Sequence, residues 1–127
     1  MPKRNLFERI GGRPAVVKAV DLFYKKNLLD HRVRHYFTDL DLKTLKEHQV
    51  TFLTHLFGGL PHYSGRSLHL AHKDLVENKG LNDSHFDAIA ENLHQTLIEL
   101  DVDKNLIAEA CQLIEKTREI ILRGHNT

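Results

Sequence analysis

Four polar side chains fall where helical spacing puts apolar ones. Tyr24 lies in register with Val16, Val20, Phe23 and Leu28; His48 and Gln49 with Leu45, Phe52, Leu53 and Leu56; and His72 with Leu68, Leu75 and Val76. Residues at i, i+3, i+4 and i+7 share the face of a helix that turns inward, so all four are headed for the interior. Burying a polar group without a partner costs about 1–3 kcal/mol, so each needs a hydrogen bond, a water or a ligand. Histidine is the commonest metal ligand and titrates near neutral pH. With histidine at 10 of 127 positions, ligation by one or two of them is an open question. Taken singly, each residue has an ordinary reading: a core histidine bonded to the backbone, or a tyrosine with its hydroxyl at the rim.

Together they describe a site. An imidazole on one short helix, opposite a tyrosine, a glutamine and a second histidine on two longer ones, puts a Lewis base on one wall of a cavity and donors on the other. That arrangement suits a haem, whose iron needs an axial imidazole, an apolar slot for the macrocycle and a distal side whose donors decide what binds. Phe37, Phe52, Phe57 and Phe86 with Leu68, Leu75 and Val76 would supply the slot, although any helical core contains such residues.

The elements that must position these groups are read from glycines, prolines and caps. Leu6, Phe7 and Ile10 form a short apolar patch ended by Gly11-Gly12, and Pro14 suits the first turn of the next helix, which runs to Asp30-His31. A short piece with Val33, Tyr36 and Phe37 follows. Asp41 is the expected N-cap of a helix reaching about Phe57, and residues 58–67, with Gly58, Gly59, Pro61 and Gly65, are expected to be loop. A shorter helix capped by Ser67 should stop at Asn78-Lys79-Gly80, and Asn82 or Asp83 should cap the next. Its stripe is Phe86, Ile89, Leu93, Leu97 and Leu100; a last helix from Leu106 through Ile121 and Leu122 closes at Gly124. Nowhere do apolar and polar residues alternate over a strand's length, so the expectation is an all-α domain of five or six helices.

Composition narrows the rest. A chain of 127 residues with 41% hydrophobic content fits one domain, expected to span 1–127 with residues 1–4 and 125–127 as tails. Net charge is +1, and no cluster of Lys and Arg offers a grip on nucleic acid or anionic lipid. The lone Cys111 makes no internal disulfide, and no apolar run has membrane length, so a cytosolic protein is expected. Phosphate loops, nucleophile elbows and paired carboxylates are all missing, leaving hydrolase and NTPase readings without support.

The order of motifs is itself informative. Leu6-Phe7-Glu8-Arg9-Ile10-Gly11-Gly12, Phe23-Tyr24, Tyr36-Phe37, His48-Gln49 before Phe52-Leu53, Gly58-Gly59 with Tyr63-Ser64-Gly65-Arg66, and Ala71-His72 ahead of Leu81-Asn82 resemble the truncated haemoglobins. The likeness is to the first group of that family, with the cyanobacterial globins, and covers about residues 5 to 123. It implies a globin-like two-over-two helical sandwich with haem b and iron as cofactor. His72 matches the proximal iron ligand, Tyr24 the tyrosine that donates to bound dioxygen, and Gln49 a glutamine sharing that role. His48 matches a histidine that in cyanobacterial relatives can swing in as a second, distal iron ligand. Leu45 stands where several relatives carry a glutamine, leaving discrimination to Tyr24, Gln49 and His48.

Further haem contacts are expected from residue type and placement: Phe37, Phe52, Leu68, Leu75, Val76 and Phe86 around the macrocycle and, as donors or cations near His72 in sequence, Tyr63, Arg66, His69 and Lys73 near the propionates. Some relatives bond haem covalently through a histidine of the C-terminal helix. Residues 95–124 contain no histidine, so non-covalent haem is expected.

The implied function is binding of O2, NO and CO, with dioxygenation of NO to nitrate through the ferrous oxy complex and electrons from an unidentified reductase. A monomer is expected, without nucleic-acid or membrane partners. One alternative is an electron-transfer or redox-responsive protein in which His48 and His72 both hold iron. Another is a haem-free phosphotransfer bundle around His72-Lys73 and Gly80, which would want its histidine on a solvent-facing surface instead of in register with Leu68, Leu75 and Val76.

Overall fold

The computed structural model describes residues 4–58 and 65–124, and for residues 65–67 the backbone only. Seven α-helices occur among them, with no strand. They are α1 (Leu6–Ile10), α2 (Gly12–Leu29), α3 (Leu42–Gly58), α4 (Gly65–Asn78), α5 (Asp83–Glu99), α6 (Lys104–Glu115) and α7 (Arg118–Arg123), with one 3-10 turn at Arg34–Tyr36. Helices α2 and α3 form one layer and α5 and α6 the other, with α2 crossing α5 between them; α4 lies apart, packed along α7. This is a two-over-two sandwich.

Caps fix the helix ends largely where the sequence puts them. Asn5 Oδ1 accepts from Glu8 N–H ahead of α1, and Asp41 Oδ1 accepts from Lys43 N–H ahead of α3. Asn82 Oδ1 accepts from Ser84 N–H at 2.9 Å, while Asn82 N–H donates to His85 Nδ1 at 3.1 Å, a capping box with histidine in the place usual for Glu or Gln. Gly11 sits at φ +127°, where an added Cβ would meet Ala15 Cβ at 3.0 Å, so only glycine permits the α1–α2 reversal. Gly80, at φ +72°, turns the chain after α4 so that Leu81 N–H reaches back to the Leu75 carbonyl at 2.9 Å.

Three boundaries differ from expectation. Helix α2 opens at Gly12, which places Pro14 inside its first turn, where a missing N–H leaves no bond unmade. Helix α4 opens at Gly65, so Ser67 is inside it and not its cap: the turn preceding Leu68, the first core residue of α4, is itself wound. The rest of the expected 58–67 loop, 59–64, lies outside the described residues. The last helix is two, which raises the helix number above the expected five or six. At the break Thr117 spends both its hydroxyl, 2.6 Å, and its N–H, 2.9 Å, on the Ile114 carbonyl. A threonine that competes in this way for a helical carbonyl interrupts the ladder, and α7 swings out to cover α4.

The core runs through Val16, Val20 and Phe23 of α2, Leu53 and Phe57 of α3, Leu93 and Leu97 of α5 and Ile107 of α6. At its edge Asn27, fully buried, accepts from Asn92 Nδ2 at 2.9 Å, and the same amide donates to Asp30 Oδ2 at 3.0 Å. Arg32 holds Asp30 through Nε and Nη2. Between α5 and α7, Arg118 binds Glu115, Asp83 and Asp87 and lies 4.4 Å over the Phe86 ring. No described helix is long and apolar enough to cross a membrane.

Candidate functional site

Helix α2 delivers Tyr24 to the interior. The side chain is 3% exposed, with its ring set against Phe23 and, in a T-shaped contact, against Phe37, both at 5.5 Å between centroids. Its hydroxyl makes no hydrogen bond among the described residues, and burial holds the phenol well above its ordinary titration range. The hydroxyl of this buried side chain is thus left uncommitted by the described protein and available as a donor.

Helix α4 delivers His72. Its Nδ1 lies 2.8 Å from the Leu68 carbonyl. A carbonyl only accepts, so Nδ1 carries the hydrogen and the free lone pair is on Nε2. Burial pushes the imidazole pKa down; the Leu68 bond opposes this and the neighbouring His69 adds to it. The ring is thus neutral, of one tautomer and fixed in orientation by a backbone acceptor. These are the properties a metal-binding imidazole requires.

Helix α3 carries four residues expected in the opposite wall, in different situations. Leu45 and Gln49 are half-buried, Phe52 is buried, and His48 is exposed on the flank. The apolar stripe proposed for α3 therefore stops short of His48: Val50 and Phe57 join Phe52 and Leu53 in the core instead. Phe37, Leu75, Val76 and Phe86 pack against the core yet stay half-buried, and Leu68 alone of the described α4 side chains is fully buried. Each of these apolar groups keeps a face that protein does not cover, as the walls of a ligand slot must.

The remaining expected site residues are placed as follows. His69 lies against α7, its Nδ1 3.4 Å from the Ile121 carbonyl and its ring beneath Gly124. Lys73 is exposed. Arg66 is in the first turn of α4, and Tyr63 falls outside the described residues. The sequence reading passed over Tyr36, buried and donating from its hydroxyl to the Lys79 carbonyl at 2.9 Å. The signal was present, since a tyrosine between Val33 and Phe37 in an apolar patch needs an acceptor. No group of three or more His, Cys, Asp or Glu gathers to hold a metal ion among the described residues.

A neutral imidazole with Nε2 free, a buried tyrosine whose hydroxyl is uncommitted and half-covered apolar walls fit a haem. The model for bacterial-like globins matches residues 5–123. The chain belongs to that family. Within it, the relatives are group 1 truncated haemoglobins. That of Synechocystis is 52% identical over 83% of this chain and 85% of its own length. That of Tetrahymena thermophila is 47% identical over 91% and 92%. Among solved structures, the 2/2 haemoglobin from Synechococcus sp. PCC 7002, in the cyanomet state and with covalently attached haem, superposes with a TM-score of 0.87. It is 48% identical, covering 93% of this chain and 98% of that one. The cofactor of this globin is haem with its iron, and the two-over-two sandwich is the fold of its relatives.

Proposed function

We propose that this globin binds haem b without a covalent bond, through His72 Nε2, and uses Tyr24 to hold diatomic ligands for the dioxygenation of NO to nitrate. The observation that carries the reading is Tyr24 itself, a side chain 3% exposed whose hydroxyl makes no hydrogen bond among the described residues. Haem iron supplies the binding position for O2, NO or CO and exchanges electrons. The chain supplies orientation, donors and exclusion of water. Its raised pKa keeps the Tyr24 proton on the oxygen at any physiological pH, so it donates to a ligand carrying partial negative charge. Gln49, half-buried on α3, is the second donor, and Leu45, one turn before it, keeps that part of the pocket apolar. The proximal wall is the Leu68-anchored ring of His72 with Leu75 and Val76 beside it.

The overall conversion, NO with O2 and one electron to nitrate, balances only with an external electron, so a separate reductase is the expected partner of a cytosolic monomer. Non-covalent attachment rests on residues 95–124, which hold no histidine to bond a haem vinyl. His48 is exposed on α3, which favours an iron left open to external ligands over one closed by both histidines. Two measurements test the reading. Rapid mixing of the O2-loaded protein with NO should give nitrate stoichiometrically and ferric protein within the mixing time; slow reaction without nitrate would sink it. The ferrous spectrum without added ligand should be five-coordinate and unchanged in His48→Ala, whereas a low-spin spectrum lost in His48→Ala would support the bis-histidyl alternative.

A further inference from the structure

The Tyr24 ring does not sit against a passive wall. The ring it meets, in a T-shaped contact, belongs to Phe37, whose N–H is bonded to the Arg34 carbonyl at 2.9 Å and which directly follows Tyr36 in the chain. Tyr36 is buried, and its hydroxyl donates to the Lys79 carbonyl just beyond the last residue of α4. That carbonyl belongs to the group a helix end leaves without intrahelical partners, and the Tyr36 hydroxyl satisfies it. The bond therefore ties the segment carrying Phe37 to the exit of the helix carrying His72. Leu81 N–H on the Leu75 carbonyl pins that exit from the other side, and the His85 ring packs on Tyr36 at 5.2 Å.

We propose that Tyr36 is a positioning residue for the site: its bond to the Lys79 carbonyl sets the Phe37 ring that orients the Tyr24 hydroxyl, linking the proximal helix to the distal donor. This rests on the reading of Tyr24 as that donor. The ring torsion of a tyrosine is broad, so the plane in which its O–H lies is set by what touches the ring. Hydrogen bonds weaken steeply once the donor angle leaves its optimum, so a small loss of aim is felt by the ligand. Tyr36→Phe keeps the ring, its burial and its contact with His85, and removes only the tether.

The test uses haem-loaded ferrous protein with CO as probe, reading the C–O stretching band, which responds to a nearby donor, together with the O2 dissociation rate. Tyr36→Phe should bind haem one to one, move the C–O band toward that of Tyr24→Phe, and raise O2 dissociation by roughly three- to tenfold. In a Tyr24→Phe background the same substitution should add nothing. An unmoved band and rate, or an equal effect with and without Tyr24, would overturn the positioning role. If Tyr24→Phe itself changes neither readout, Tyr24 is not the donor; the functional reading fails first and the tether falls with it. Phe37→Leu, which retains the Tyr36 bond and removes the ring, is read by the same criteria if Tyr36→Phe does not take up haem.

Discussion

The Tyr24 hydroxyl shows how a single group acquires meaning from what surrounds it. The side chain is 3% exposed and its hydroxyl makes no hydrogen bond among the described residues, so on the proposed reading its return is a bond to a ligand. Tyr24→Phe should thus stabilise or leave unchanged the haem-free fold, because it removes no hydrogen bond within the described chain. The haem-loaded variant should release O2 faster by about ten- to a hundredfold, the equivalent of roughly 1–3 kcal/mol for one hydrogen bond. Thermal melting of the apoprotein and O2 dissociation kinetics check the two halves separately. A variant less stable than the parent by several degrees would show that the hydroxyl had a structural partner after all. The inward placement of Tyr24, and the partial burial of Gln49 and His72, were legible in the sequence because a polar residue in an apolar stripe is conspicuous. His48 satisfied the same pattern yet is exposed, since α3 turns Val50 inward instead, and spacing alone cannot choose between two faces separated by one or two residues.

At the scale of elements, the ends of helices carry much of the specification. Asp30 shows it most clearly, closing α2 as its C-cap while accepting from Asn92 of α5 and from Arg32. The Arg32 guanidinium bonded to it holds its carboxyl far below the usual carboxylate range. A carboxylate whose pKa is depressed by folding stabilises the fold in its ionised form. That contribution is complete above the unfolded value near 3.9, and is lost as pH falls below it toward the folded value. The melting temperature should therefore drop between about pH 4 and pH 2 more steeply in the parent than in Asp30→Asn. At pH 7 the variant should already melt a few degrees lower, having lost about 1 kcal/mol of charge-assisted bonding. Parallel curves for the two proteins would show that the Arg32 pairing contributes nothing. Caps were also what the sequence displayed best: Asn82, Asp41 and the Gly80 stop stand where they were expected. The Thr117 break was missed because nothing in the apolar stripe of Leu106 to Leu122 changes there; the interruption lies in a side-chain hydroxyl competing for one carbonyl.

Across the whole molecule the burial is uneven, and it is thin along α4, the helix that carries His72. Helices α2 and α5 place several side chains each in the core, and they cross one another at the centre of the sandwich. Helix α4 contributes Leu68 to the core, leans on the short α7, and leaves Leu75, Val76 and His72 half-covered. Segments with few buried apolar contacts open locally at lower free energy than the core, and a ligand that binds only the closed form closes them by mass action. Haem held by His72 and flanked by Leu75 and Val76 would bury the uncovered side of α4. Amide hydrogen exchange should accordingly find α4 from Leu68 to Asn78 the fastest of the long helices in the apoprotein. Protection there should rise by at least an order of magnitude on addition of one equivalent of haem, while α2 and α5 change little. His72→Ala should keep the fast exchange of α4 even with haem present, since the proposed bond from His72 Nε2 would couple the cofactor to that helix. Equal protection of α4 with and without haem would mean that the sandwich is finished by protein alone, and that the half-covered residues of α4 are an ordinary surface instead of one wall of a cofactor site.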